Sequence, residues 1–264
     1  MAVTRRRPSR LAPHPVLVER EAFVTDLDPR HDGLRIAHLT DIHVGRITPR
    51  RHIREAVELA NRAGADLIAL TGDYVCWKLS EIAMMEEQLG GLEAPRVVAT
   101  LGNHDYFTSA SRISAALRRN GYDVLFNEHT TVEVRGAPLH VVGIDDPVTR
   151  KDDVPAAFHG LSGRAGTRVA LAHCPEASHA IAGHGADLIL SGHTHGGQIW
   201  VKGLSDRIFY KRMRRRYRVG MYRVDESELY VGAGVGFSGV RARFGNGTRA
   251  EVALITLRVR PQAG

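Results

Sequence analysis

The sequence predicts an α/β fold in which a partly parallel sheet packs against a second, more antiparallel one. Two observations carry this expectation. Between residues 34 and 121, short apolar runs alternate with amphipathic stretches at helical spacing, a βαβαβα order. From residue 130 onward, short apolar runs recur with few helical signals between them. The chain has 264 residues, 43% hydrophobic and 25% charged, which excludes disorder, collagen and coiled coil as its main architecture. No apolar run reaches the roughly 18 residues needed to span a membrane.

The elements come in order. Residues 1–33, rich in Pro and Arg, read as an irregular lead-in, followed by a single domain over residues 34–260. Residues 34–39 form the first expected strand. Thr48 as N-cap and Pro49 at the first helical position open a helix with Ile53, Val57 and Ala60 on one face, ending at Gly64. Residues 66–70 read as a second, buried strand. Ser80 opens a helix carrying Ile82, Met85 and Leu89 on one face and closing at Gly90-Gly91. Residues 96–101 are a third strand, and a helix from about Ser111 to Arg119 stops at Asn120-Gly121. Arg135-Gly136-Ala137-Pro138 joins strands 130–134 and 139–144 as a hairpin. Residues 168–172, 187–190, 198–201, 219–224, 229–233 and 251–259 complete the expected strands. There is no repeat, low-complexity tract or linker.

Charge is unevenly placed. The net +7 includes Arg5, Arg6, Arg7 and Arg10, then Lys211, Arg212, Arg214, Arg215, Arg216 and Arg218; without those ten, 26 basic residues face 29 acidic ones. Such clusters meet phosphates on lipid headgroups, nucleotides or nucleic acid, or else form a frayed terminus and a solvated loop. Cys76 and Cys174 are too few for a disulfide framework and suit a reducing compartment. No apolar stretch succeeds the N-terminal arginines, since Glu19, Arg20 and Glu21 interrupt the only candidate. A cytoplasmic protein, or one peripheral to the inner face of a membrane, is expected.

The informative pattern lies immediately after each strand. The first runs into Asp41-Ile42-His43, the second into Gly72-Asp73 and the third into Gly102-Asn103-His104-Asp105. Two later strands run into His173 and into Gly192-His193-Thr194-His195. Ligands of open α/β sheets bind beyond the carboxyl ends of the strands, so five strands deliver Asp, Asn and His to one edge. An all-N/O donor set without thiolate suits Mn, Fe, Zn or Mg. Two aspartates, one asparagine and four histidines are too many for one metal and fit two sharing a carboxylate. Asp-x-His and Gly-Asp alone are weak signals, the latter common in turns. Gly-Asn-His-Asp and Gly-His-Thr-His are more specific. His14, His31, His52, His129, His140, His159, His179 and His184 read as surface or packing residues.

These motifs, in this order, resemble those of the calcineurin-like metallophosphoesterases. The string Leu190-Ser191-Gly192-His193-Thr194-His195-Gly196-Gly197-Gln198 is similar to the bacterial branch of small phosphodiesterases that includes a UDP-2,3-diacylglucosamine pyrophosphatase. The resemblance implies two packed mixed β-sheets flanked by α-helices, a four-layer sandwich. It implies that Asp41, His43, Asp73 and His195 hold one divalent metal, and that Asp73, Asn103, His173 and His193 hold a second. Asp73 bridges them. It further implies that His104 points at the substrate phosphate, with Asp105 fixing its tautomer, and that hydroxide held between the metals attacks phosphorus in line with the leaving oxygen. Asn103 helps the metals to offset charge on the equatorial oxygens.

Four functions are then open, the last and least favoured a protein phosphatase. The first is a phosphodiesterase or pyrophosphatase acting on a small or lipid-linked phosphoester, its basic segment touching an anionic membrane. The second is a nuclease or nucleotide phosphodiesterase, with Phe209, Tyr210 and Tyr217 near the basic cluster. The third is a non-catalytic, metal-free binding module.

Overall fold

The computed structural model describes residues 14–213 and 215–261, without the side chain of Arg212. Arg5, Arg6, Arg7, Arg10 and Arg214 lie outside the described residues. The first half of the chain gives β1 (Val16–Val24), β2 (Arg35–Leu39), β3 (Leu67–Thr71), β4 (Val97–Thr100) and β5 (Asp123–Val124). Between them lie helices α1 (Arg50–Arg62), α2 (Ser80–Leu89), α3 (Asn103–Thr108) and α4 (Ala110–Arg119). The second half gives β6 (Glu128–Val134), β7 (Ala137–Ile144), β8 (Thr167–Ala172), β9 (Leu188–Ser191), β10 (Gly220–Val224), β11 (Ser227–Val231) and β12 (Glu251–Val259). The short helices α5 (Val154–Ala157) and α6 (Ser178–Gly183) interrupt it.

The strands form two six-stranded sheets, ordered β1-β12-β2-β3-β4-β5 and β10-β11-β9-β8-β7-β6. Side-chain alternation explains the layering, because successive residues of a strand face opposite sides. Ala37, Leu39, Ile68 and Leu70 point to one face of the first sheet, where they pack with Ile53, Val57 and Met85 of α1 and α2. Ile36, Leu67 and Ala69 point to the other face and meet Leu139, Val169 and Leu188 of the second sheet. The outer face of that sheet is covered by Val154, Ala157 and Ile181 of α5 and α6. Strands buried on both faces read as unbroken apolar runs. The result is the expected sandwich of two mixed sheets flanked by helices.

Four expectations are corrected. The lead-in is not irregular throughout: β1 pairs in parallel with β12 along all nine of its residues. It lies at the sheet edge with Glu19, Arg20 and Glu21 exposed, so its polar centre hid the strand. Thr48 does not cap α1, which begins at Arg50 with Pro49 at the N-cap; the Thr48 hydroxyl instead accepts from Phe237 N at 3.0 Å. The second sheet is less antiparallel than expected, because β11-β9, β9-β8 and β8-β7 are all parallel. Parallel pairs need crossovers, and helices as short as α5 and α6 leave little periodicity in the sequence. Residues 198–201 form no strand, contributing only a bridge from Ile199 to Phe244. Among the described residues, no helix is long and apolar enough to cross a membrane.

Strand β12 lies between β1 and β2 in the first sheet, and its Ile255 is fully buried between the sheets. Ile255→Ala is expected to cost about 2–5 kcal/mol in denaturant unfolding. A loss below about 1 kcal/mol would place Ile255 outside the shared core.

Candidate metal centre

Residues just beyond β2, β3, β4, β8 and β9 build the site, so both sheets contribute. Their loops are stitched together through the backbone. Asp41 N donates to Gly72 O at 3.0 Å, His43 N to Asp73 O at 3.0 Å, and Gly192 N to His173 O at 2.9 Å. The neighbouring glycines permit this closeness. A Cβ on Gly192 would lie 2.0 Å from Thr40 Oγ1, and one on Gly102 would lie 2.3 Å from Asp73 Oδ1.

The backbone is strained where the donors sit. Asp41 (φ 50), His43 (φ 45), Asp73 (φ 57), His193 (φ 68) and His195 (φ 52) all occupy the left-handed region. Side chains other than glycine rarely adopt it, and each instance costs on the order of 1 kcal/mol or more. Clustered at one edge, these conformations turn five side chains inward together.

All seven expected metal donors, Asp41, His43, Asp73, Asn103, His173, His193 and His195, are buried or half-buried at that edge. Donor atoms of Asp41, His43 and His195 lie within 4.8 Å of one another, as do those of Asp41, Asp73 and His173. Asp41 Oδ1 faces His195 Nε2 at 3.2 Å, and Asp73 Oδ2 faces His43 Nε2 at 3.6 Å and His173 Nε2 at 3.2 Å. The other carboxylate oxygens are held by the chain: Asp41 Oδ2 accepts from Thr40 Oγ1 and His193 N, and Asp73 Oδ1 accepts from His104 N at 2.9 Å.

Burial dominates the electrostatics. It pushes His43 down to about 4 and His193 down to about 3, and holds His195 well below its usual range. It also pushes Asp41 upward. For Asp73, burial is outweighed by His173 and His43, so its carboxyl stays ionised. His173 is the counterpart: burial opposes its charge, but Asp73 and Asp41 prevail and raise it to about 10.

The donors fit divalent cations. His43 Nε2 and His195 Nε2 face each other at 3.0 Å, and His193 Nδ1 faces His173 Nε2 at 3.3 Å. His173 Nδ1 already donates to Thr71 O at 2.7 Å, so once Nε2 gives up its proton its lone pair points toward Asp73 and His193. Asn103 Oδ1 and Asp41 Oδ1 are buried acceptors without a hydrogen-bond donor among the described residues. Facing lone pairs and orphaned carboxylate and amide oxygens are what a cation satisfies.

His104 lies beside this set. A ring nitrogen of His104 comes within 4.8 Å of the His43 and Asp73 donor atoms. Its Nδ1 donates to Cys76 O at 2.6 Å. Asp105 does not fix that tautomer, contrary to expectation. Its carboxylate is fully buried and accepts from Gly102 N, Asp73 N and Tyr74 N at 2.8–2.9 Å, so it positions the backbone of the Asp73 loop. The sulfur of Cys174 reaches the His173 and His193 nitrogens. Burial and the nearby Asp146 hold its thiol protonated, however, and it donates to Asp146 at 3.7 Å.

Two arginines stand beside the donors, and only the first had no sequence signal. Arg243 is buried, donates to Ala233 O and Thr248 O, and stands 3.5 Å from His195 Nδ1. Arg215 belongs to the basic run yet reaches His193 Nε2 at 3.2 Å while pairing with Glu176. The remaining histidines behave as packing residues where they are buried: His31 bonds Thr167, His52 bonds Val235 O and His140 bonds Thr131.

The raised His173 pKa has a pH consequence. Its folded value, about 10, exceeds the usual histidine value near 6.5, so the protonated pair with Asp73 stabilises the metal-free fold below about pH 6.5. That contribution fades as pH rises toward 10. In chelated protein the NMR titration of His173 should therefore centre well above 6.5, and Zn²⁺ binding at pH 7 should release its proton, read by calorimetry in buffers of different ionisation enthalpy. A midpoint at or below 6.5 would contradict the pairing.

Comparison with known proteins agrees with this arrangement. The model of the family described as calcineurin-like phosphoesterase matches residues 34–197. The metallophosphoesterase YkoQ of Bacillus subtilis is 32% identical over 85% of this chain and 83% of its own length. The phosphodiesterase YaeI of Escherichia coli is 31% identical over 76% of this chain and 75% of its own. A transmembrane protein with metallophosphoesterase domain from Danio rerio is 31% identical over 92% of this chain, which spans 57% of that protein. The matched residues include every donor at the centre, and the chain belongs to the calcineurin-like phosphoesterase family.

Proposed function

We propose that the protein is a dimetal-dependent phosphodiesterase or pyrophosphatase acting on a small or lipid-linked phosphoester. The observation that carries this is one oxygen: Asp73 Oδ2 faces His43 on one side and His173 on the other. Asp41, His43, Asp73 and His195 would hold one cation, and Asp73, Asn103, His173 and His193 the second. Bound Mn, Fe or Zn would supply hydroxide from water near neutral pH and offset charge on the phosphate oxygens. The diester preference draws support from the similarity to the phosphodiesterase YaeI.

The chain's own contribution centres on His104. Because Nδ1 is committed to the Cys76 carbonyl, Nε2 is the nitrogen left for substrate. Protonated, it gives a proton to the leaving oxygen or stabilises the transition state. No residue needs to be phosphorylated. Burial pushes the Cys76 thiol up to about 12 and raises that of Cys174 well above its usual value, so neither is a nucleophile.

A second reading, a nucleotide or nucleic-acid phosphodiesterase, is favoured by one feature. Trp77 and Phe107 are exposed and nearly parallel, their rings 5.8 Å apart at 7°, and Trp77 lies 4.2 Å from the His104 ring. A base stacks on such a surface. A metal-free binding module suits the orphaned donors poorly. The basic segment is proposed to meet an anionic membrane at its cytoplasmic face. Of its arginines, Arg215, Arg216 and Arg218 are engaged by Glu176, His179 and Gly196 O respectively, while Lys211 is exposed.

The protein is expected to cleave bis(p-nitrophenyl) phosphate faster than p-nitrophenyl phosphate, and to lose both activities on chelation. His104→Ala should lower kcat by about 10²–10⁴-fold with metal content unchanged in elemental analysis. A variant that has lost metal would make His104 a ligand.

A further inference from the structure

A cavity of about 410 Å³ opens beside the metal centre, within the usual size of small-molecule sites. Two chemistries meet in its lining: His193, His195 and Arg215 are polar or charged, and Trp200, Ile208, Phe209 and Met213 are apolar. Trp200 and Phe209 are buried, with rings 5.5 Å apart at 72°. The Arg218 guanidinium lies 4.1 Å over the Trp200 ring and is itself bonded to Gly196 O and Asn246 O, which fixes the indole. Ile208 and Met213 remain 43% and 56% exposed, apolar area left in water unless something covers it. No carboxylate is among the lining residues.

We infer that this cavity receives an apolar arm of the substrate, an alkyl or acyl chain joined to the phosphate at the metal centre. The inference rests on the phosphoesterase reading above and narrows it to amphiphilic phosphoesters. The cavity begins at two of the donor histidines, so its occupant is continuous with the group bound there and is not a separate partner. Among the described residues that line the cavity, Arg215 is the one Lys, Arg, Asp or Glu; it donates to His193 and is steadied by Glu176. Trp200, Ile208, Phe209 and Met213 offer a chain apolar contact. An amphiphile with an anionic head matches that polarity in one orientation only.

Calorimetry of the Mn²⁺-loaded protein with methyl-, butyl-, hexyl- and octylphosphonate tests this without turnover. Each buried methylene should tighten binding about threefold, so burial of more than about three of the seven added from methyl to octyl gives more than about 30-fold. In Ile208→Asp and Met213→Asp, both at exposed positions, the gain should shrink to less than about fivefold. Chelation should weaken every member alike. Metal-dependent methylphosphonate binding with no gain along the series would overturn the apolar arm and leave the phosphoesterase reading standing. A gain that persists undiminished in both variants would overturn it too, as would variants that lose only co-sedimentation with phosphatidylglycerol vesicles, which would make the segment a membrane contact. Affinities that chelation leaves unchanged across the whole series would separate the cavity from the metal centre, and the phosphoesterase reading would fail along with the apolar arm.

Discussion

Buried negative charge at Asp41 and Asp73 is the constraint around which the molecule is arranged. Both carboxylates are almost fully withdrawn from water, and their ion-pair partners among the described residues are imidazoles. An isolated buried carboxylate is expensive, and a partner whose own charge is opposed by burial gives incomplete relief. His173 alone is driven to its protonated form, while His43, His193 and His195 are held neutral. The remaining demand for positive charge is what divalent cations meet. The fold serves this demand from two sides, since Asp41, Asp73 and Asn103 follow strands of one sheet and His173, His193 and His195 follow strands of the other.

Holding opposed strand ends together requires backbone that the chain would otherwise avoid. The left-handed conformations at Asp41, His43, Asp73, His193 and His195 are over-determined by hydrogen bonds between loops and by Asp105, which gathers three amide donors. The glycines of Gly72-Asp73, Gly102-Asn103 and Gly192-His193 belong to the same solution. They are positions where a Cβ would collide with the neighbouring loop.

The central strands and the donor set were legible because each rests on a local signal: a doubly buried strand is an apolar run, and each donor directly succeeds one. The same holds for β12, whose predicted limits match those observed. Features that depend on distant neighbours were not legible. Strand β1 is hidden by its exposed Glu19-Arg20-Glu21, and the parallel pairing of β8 and β9 by the brevity of α6. Asp105 looked like a partner for its neighbour His104, yet the helix that starts at Asn103 turns it toward backbone amides. The basic run read as one feature, but Arg215, Arg216 and Arg218 take different partners once folded. Arg243 carries no motif at all, and only the fold brings it to His195.

Metal stoichiometry of Asp73→Asn against the wild type, by elemental analysis and calorimetric Mn²⁺ titration, bears most directly on the proposal that two cations share Asp73. The amide keeps the size of the side chain and removes the charge that faces His43 and His173. Two cations should bind the wild type, and both should be weakened together in the variant, with the fold intact by circular dichroism. Loss of one cation with the other bound at wild-type affinity, or retention of both, would contradict a carboxylate common to the two nests.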